Sequence, residues 1–497
     1  MSDSTVSVTK RPHVVVVGGG FGGVAAVRKL KRADVDVTLI DRHNYSTFNP
    51  LLYQVATASL NPGDITWFLR AIRAKQSNVR FLKGTVTGMD HEAKTLHLEG
   101  GLDVKYDQLI IAVGVTANFF GIPGASEHSM PLYRRSQALA VRDRMFANLE
   151  DAAINGQDRD LRIIVVGGGA TGVETAGAFA ELRNNDMPTT YPELDTKRVH
   201  ITLVEMLPHV LGPFHPKLRD YAKKSLEKRD VELRLETAVK EVRADGVLVE
   251  RAGEQEFLPA GMVVWASGIT AHATVKDWAV PQGRGGRIET DEHLRVKGLQ
   301  DVFAIGDVSI SPDEPLPQLA QPAIQGAKHA AKVITAELKG RSTPKPFKYK
   351  DKGTMATIGR NSAIAEIKFL PRLKGFPAWI IWVGLHIATL LGNRNRFATL
   401  TNLTAKYLVG GTHNAIVGET PPIVALKPVV VEARSPLKAG KKAPAKRAPA
   451  KTAAKAPAKK APAASSATTT SSADKASEAS SSAGAGSPSE DGPGTTA

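Results

Sequence analysis

Two short glycine patterns constrain this chain more than any other feature. Gly18-x-Gly20-x-x-Gly23 follows the apolar run at 13–17 and opens a segment, 24–30, with helical spacing. Gly167-x-Gly169-x-x-Gly172 follows the apolar run at 162–166 and opens 173–182 in the same way. In such a strand–turn–helix unit the first glycine permits a tight turn and the second lets backbone approach a pyrophosphate. The third allows close helix–strand packing, and the helix N-terminus faces the negative charge. In each copy the next apolar strand ends in an acid: Asp41, 23 positions after Gly18, and Glu205, 38 positions after Gly167. The second gap is longer because 183–197 reads as an inserted loop. A carboxylate at that strand end accepts hydrogen bonds from a ribose and repels a 2′-phosphate, which favours NADH over NADPH. One fingerprint alone is weak, because glycine-rich turns are often only tight connections. Two complete copies point to two dinucleotides that exchange electrons.

The repeat predicts an α/β fold with two Rossmann-like dinucleotide-binding domains on mostly parallel, doubly wound sheets. Further apolar strands at 109–113, 262–266 and 299–305 each end in a small-residue turn, and strands are expected at 354–358 and 363–367. The expected organisation is a discontinuous first domain (10–125 and 290–345), a second (126–289), a β-rich and membrane-anchoring region (346–430) and a tail (431–497). The tail is rich in Lys, Ala and Pro and too poor in large apolar side chains to offset the entropy of ordering, so it is expected to be disordered. The formal charge of +16 is spread over body and tail, with ten Lys and Arg and no acid between Arg434 and Lys460. That run suits a solvated tail or an anionic lipid surface, and no nucleic-acid partner is expected. The chain has no cysteine, which excludes disulfides, thiolate metal ligands, iron–sulfur ligation and thiol catalysis; no metal site is expected. The polar residues 1–10 lack a secretory h-region, so the cytoplasmic side is expected, and no run of eighteen apolar residues suggests a spanning helix.

The fingerprints, with residues 106–114 and 302–307, resemble the two-dinucleotide-binding-domain flavoproteins. On residues 44–59, 167–175, 320–325 and Arg394-Asn395-Arg396 the resemblance narrows to the type II NADH dehydrogenases, single-chain NADH:quinone oxidoreductases, and it covers 10–415. It implies FAD on the first fingerprint, NADH as substrate on the second, and a homodimer. By this resemblance Gly18, Gly20, Phe21, Gly22 and Gly23 hold FAD together with Asp41, Arg42, Gln54 and Ala323. Val86 and Ala112 reach the adenine side through backbone, and Asp307 the ribityl or pyrophosphate region. Gly167, Gly169, Gly172 and Glu205 hold NADH. Glu174 matches a glutamate between nicotinamide and flavin, residues 48–54 a stretch beside the isoalloxazine, and Gln321 and Gln325 a pair near the flavin's far edge, where quinone enters. Taken without the resemblance, Glu174 equally suits the dipole of a helix's first turn. Gln321 and Gln325, four apart on one helix face, equally suit structural caps.

The reduced flavin needs an outlet. Many of these flavoproteins use a cysteine pair, which this chain lacks, so a quinone, a soluble ferredoxin- or rubredoxin-type protein, or oxygen remains. Residues 378–392 favour the first. They are almost wholly apolar, carry Trp379 and Trp382 near the start, and are bracketed by Arg372 and Lys374 before and Arg394 and Arg396 after. As a helix they would reach about 22 Å, short of a hydrocarbon core of roughly 30 Å. This pattern predicts a helix lying in the membrane interface, and a peripheral enzyme on the cytoplasmic side of the cell membrane with a membrane quinone as partner. Phe397, Leu400, Leu403, Thr404, Tyr407 and Leu408 predict a second helix with one apolar face. A dimer interface or buried core helix is the competing reading of the segment.

Overall fold

The valine-rich run His13–Val17 is buried along nearly its whole length, as a central strand of a parallel sheet covered on both faces must be. It pairs in parallel with Asp36–Asp41 on one side and Gln108–Ile111 on the other. Val79–Lys83 and Val302–Ala304 complete the five-stranded sheet, also in parallel. A second all-parallel sheet has the order Met130–Pro131, Met262–Trp265, Leu161–Val166, Val199–Val204, Val231–Arg234. The computed structural model describes residues 11–156, 159–311, 315–368 and 370–408. The expected tail at 431–497, the polar start at 1–10 and the end of the C-terminal region beyond Leu408 lie outside these residues.

Five helices matter here: α1 (Phe21–Lys29), α2 (Ala170–Glu181), α3 (Ala320–Glu337), α4 (Phe376–Thr389) and α5 (Asn393–Leu408). The two glycine turns that start α1 and α2 are near copies. Gly18 N donates to Ile40 O and Gly167 N to Val204 O, both at 2.8 Å. Their φ values are 106° and 112°, a region that disfavours any side chain. A Cβ on Gly23 would sit 1.7 Å from Gly18 O, and one on Gly172 would sit 1.8 Å from Gly167 O. The third glycine of each pattern therefore serves packing, as the spacing predicts.

Three expectations need correction. Residues 183–197 are not simply a loop: α2 runs into a π-helical turn, Leu182–Asp186, and then a short helix, Met187–Thr190. The turn is anchored because the Arg183 guanidinium donates to the carbonyls of Val199, Asp230 and Arg229. Secondly, Trp379 and Trp382 do not sit at an interface. They are 7% and 1% exposed and join Phe179, Tyr53 and Leu403 in the largest core. Thirdly, the apolar face of α5 is divided between core and surface. Leu403 is buried, whereas Phe397, Leu400 and Leu408 are 74%, 49% and 80% exposed. Polar anchors fix that orientation, with Asn395 Nδ2 donating to Thr66 O and Asn402 Nδ2 to Asp64 Oδ2, both at 2.6 Å.

The C-terminal antiparallel sheet, Thr354–Gly359, Ser362–Glu366 and Leu373–Gly375, lies on α2. Contact there is close enough that a Cβ on Gly177 would be 2.2 Å from Ile358 O. Among the described residues no helix is long and apolar enough to cross a membrane.

Candidate active site

The N-termini of α1 and α2 open on one cleft of about 560 Å³. Gly18, Gly20, Phe21 and Gly22 form its wall on one side, and Ala170, Thr171 and Glu174 on the other. Asp41, Arg42, Val86, Ala112, Asp307, Gln321 and Ala323 also line it, so most residues expected at a nucleotide site do converge.

Each strand-end acid grips the glycine turn beside it. Asp41 accepts from Gly19 N at 2.6 Å and His43 N at 2.7 Å. Glu205 repeats this with Gly168 N at 2.5 Å and Leu207 N at 2.8 Å. Burial raises the Asp41 pKa, and these backbone donors work against that rise. Beside Asp41, which interacts with Arg42, stands a second guanidinium, Arg134. Burial and then Arg42 depress the Arg134 pKa, and the Tyr133 and Tyr45 hydroxyls lie near it. Burial, then Arg42 and Arg134, pushes His272 down to about 4, so that ring is neutral.

These features fit FAD. A Cβ on Gly20 would meet nothing within 4 Å, which leaves the turn's backbone bare to the cleft. Arg42 and Arg134 repel one another beside the bare turn, and a diphosphate would relieve that repulsion. Trp278, 2% exposed, also lines the cleft. Asp307 also faces the cleft; it is half-buried, desolvation raises its pKa, and it accepts from the Tyr133 hydroxyl at 3.4 Å.

Between the two fingerprints lies Glu174, 8% exposed. Burial pushes its pKa up to about 8, opposed by hydrogen bonds from Thr357 N (3.2 Å) and the Trp382 side chain. The carboxyl is therefore mostly protonated at neutral pH. The His386 ring stacks on Trp382 at 4.1 Å between centroids and meets Phe48 edge-on at 6.1 Å. Its Nδ1 lies 2.7 Å from Trp382 O, so that nitrogen carries the proton, and burial lowers the ring's pKa.

Some expected residues stand elsewhere. Gln54 is 3% exposed and sits behind Tyr53, which lines the cleft in its place; its Nε2 donates to the Tyr53 hydroxyl at 3.0 Å and its Oε1 has no partner. Gln325 does not line the cleft either. Its amide clamps the backbone of Lys350, with Nε2 donating to Lys350 O at 3.0 Å and Oε1 accepting from Lys350 N at 3.1 Å. Gly23 and Gly172 lie behind their turns, while Gly167, Gly169 and Glu205 lie outside the cleft wall, which α2 joins at Ala170. Sequence reasoning missed Tyr133, Arg134, His272 and Trp278. Each comes from a connection or irregular segment with no periodicity to mark it, and only the fold brings them to the fingerprint.

The fold and the cleft define a class, that of flavoproteins which also bind a pyridine nucleotide. Residues 12–327 match the pyridine nucleotide-disulphide oxidoreductase family, and residues 352–412 match the NDH2 C-terminal domain. The type II NADH:quinone oxidoreductase NdhA of Mycobacterium tuberculosis is 38% identical over 79% of this chain and 87% of its own length. Ndh of the same organism is 36% identical over 82% and 90%. The crystal structure of NDH2 from Plasmodium falciparum in complex with NADH matches with a TM-score of 0.75 at 22% identity, covering 81% of this chain and 99% of that one. A sulfide:quinone oxidoreductase from Aquifex aeolicus shares the fold at a TM-score of 0.63 and 20% identity. The chain belongs to the type II NADH:quinone oxidoreductase family.

Proposed function

We propose that this chain oxidises NADH and reduces a membrane quinone at the cleft between α1 and α2, without pumping protons. The observation that carries this is the meeting of two nucleotide-binding helix N-termini in one cleft of a chain that has no cysteine to relay electrons. FAD, when bound, supplies the ring that accepts hydride from NADH and delivers two electrons onward.

The chain's own residues bind, orient and insulate. Residues 10–125 and 290–345 form the FAD domain, a division supported by the return of Val302–Ala304 to the first sheet. Residues 126–289 form the NADH domain, and the region from 346, described as far as Leu408, meets the membrane. The turn at Gly18, Gly20 and Gly22, bare at Gly20, would hold the FAD diphosphate, with Arg42 and Arg134 as counter-charges and Asp41 toward the ribose. Glu205 serves the NADH ribose. Glu174 holds a proton at the junction of the two nucleotides, and Gln321 faces the quinone side.

On the outer surface Phe376, Ile380, Leu385, Phe397 and Leu400 are each at least 48% exposed, near Arg372, Lys374, Arg394 and Arg396. An apolar surface rimmed by cations suits a bilayer interface, so the enzyme is read as peripheral on the cytoplasmic side, as a homodimer. This surface also favours quinone over a soluble ferredoxin- or rubredoxin-type acceptor. Deleting the tail from Arg434 leaves NADH oxidation by water-soluble quinones nearly unchanged. The decisive experiment is anaerobic: reduce the purified holoenzyme with NADH, add a quinone, and follow the flavin absorbance. Its prompt return is expected, and a flavin that stays bleached rules out the quinone reading.

A further inference from the structure

Arg28 lies in the last turn of α1, and its guanidinium stands over the Trp67 ring, 5.4 Å from the centroid. One cation there complements the helix dipole. The fold brings a second. Burial and then Arg396 depress the Arg28 pKa, so the two guanidiniums are close enough to repel. Their approach is built in. Asn395 fastens α5 to Thr66, Arg396 Nε donates to Leu390 O at 2.9 Å, and Gly392, at φ 86°, passes so close that a Cβ would be 3.0 Å from Trp67 Cδ1. Arg28 has no acid among its charged neighbours, and the side-chain hydrogen bond of Arg396 goes to a backbone carbonyl. Two exposed like charges near one another form a positive patch that an anion relieves.

The surroundings say which anion. Phe68, Phe397 and Leu400 are 52%, 74% and 49% exposed; Phe68 follows Trp67 in sequence, and Phe397 and Leu400 are on α5 with Arg396. Acyl chains suit such side chains, and a tryptophan suits the headgroup level. We infer that Arg28 and Arg396, over Trp67, bind the phosphate of an anionic phospholipid headgroup at the edge of the membrane face. This rests on the membrane reading above and adds a named site to it. Guanidinium forks match the paired oxygens of a phosphodiester, which a lysine ammonium does not. Because α1 begins at the cleft and ends at Arg28, a lipid held here ties the FAD-binding helix itself to the bilayer.

The test is co-sedimentation of the full-chain holoenzyme with phosphatidylcholine vesicles, with and without phosphatidylglycerol. Arg28→Gln with Arg396→Gln is expected to weaken binding to the phosphatidylglycerol vesicles by about fivefold for each charge removed. Binding to pure phosphatidylcholine, whose choline cation neutralises the same phosphodiester, is expected to fall far less, and turnover with a water-soluble quinone stays unchanged, which shows that the variant folds. Arg28→Lys with Arg396→Lys keeps the charge, and with it the fivefold per residue, but loses the fork, and is expected to bind measurably weaker than the wild type and tighter than the glutamine pair. A lysine pair that binds like the wild type, or a glutamine pair with full affinity, overturns the site while leaving the membrane reading intact. A wild-type protein that sediments with neither vesicle removes the membrane reading itself, and this inference with it.

Discussion

Glu174 turns the interior of this protein into a pH-sensitive element. In the unfolded chain its carboxyl titrates near 4.5, and in the fold burial raises that to about 8. Below the lower value both states are protonated and the group costs nothing. As pH rises between them, the unfolded chain releases a proton that the folded chain keeps, so stability falls through this window. Glu174→Gln abolishes the penalty. The melting temperature of the variant minus that of the wild type is therefore expected to grow from pH 5 to pH 8, and a flat difference would refute the raised pKa. Glu205 acts at the other end of the nucleotide. Glu205→Arg removes the acceptor for Gly168 N and Leu207 N and places a cation where a ribose is expected. The KM for NADH should rise at least tenfold while flavin content holds; an unchanged KM would displace the ribose site. The strand-end position of Glu205 was legible in the sequence because it is a local feature, whereas Glu174 stood out only through the family resemblance. The Glu174 environment was not legible, since Thr357 and Trp382 come from elements far along the chain.

Among elements, the segment just before the C-terminal sheet owes its position to α3. Gln325 grips both backbone groups of Lys350, and Tyr349 and residues 353–355 then line the cleft. Gln325 is thus a positioning residue, while Gln321, one turn earlier, faces the cleft directly. Gln325→Ala should raise the KM for quinone severalfold and leave the rate of anaerobic flavin bleaching by NADH near wild type. Gln325→Glu keeps the acceptor for Lys350 N and should recover part of the loss. A bleaching rate that falls with quinone affinity would mean general unfolding. The four-residue spacing showed that the two glutamines share a helix face, but a face spans enough width to point one side chain at a cavity and the next at a neighbouring strand.

For the whole molecule, the C-terminal helices are both core and surface. Trp379, Trp382 and Leu403 are buried in the main core, and Asn395, Thr399, Asn402 and Lys406 hydrogen-bond to residues 59–66. Truncation after Leu370 would open that core, so loss of membrane binding by such a fragment says little about an anchor. Phe397→Lys with Leu400→Lys changes only exposed positions. It should shift the enzyme from membranes to the soluble fraction with turnover of a water-soluble quinone intact; full retention on membranes would place the docking surface elsewhere. The sequence alone determined the two parallel sheets, both glycine turns, their acids and the absence of a thiol route, because these depend on neighbours in the chain and on steric rules that hold in any fold. Only the tertiary structure decided that Trp382 packs inward against the Glu174 carboxyl, that Gln325 clamps a strap, and that Arg134 and His272 join the first fingerprint. An apolar or polar side chain specifies that it needs a partner, and the path of the whole chain specifies which one it meets.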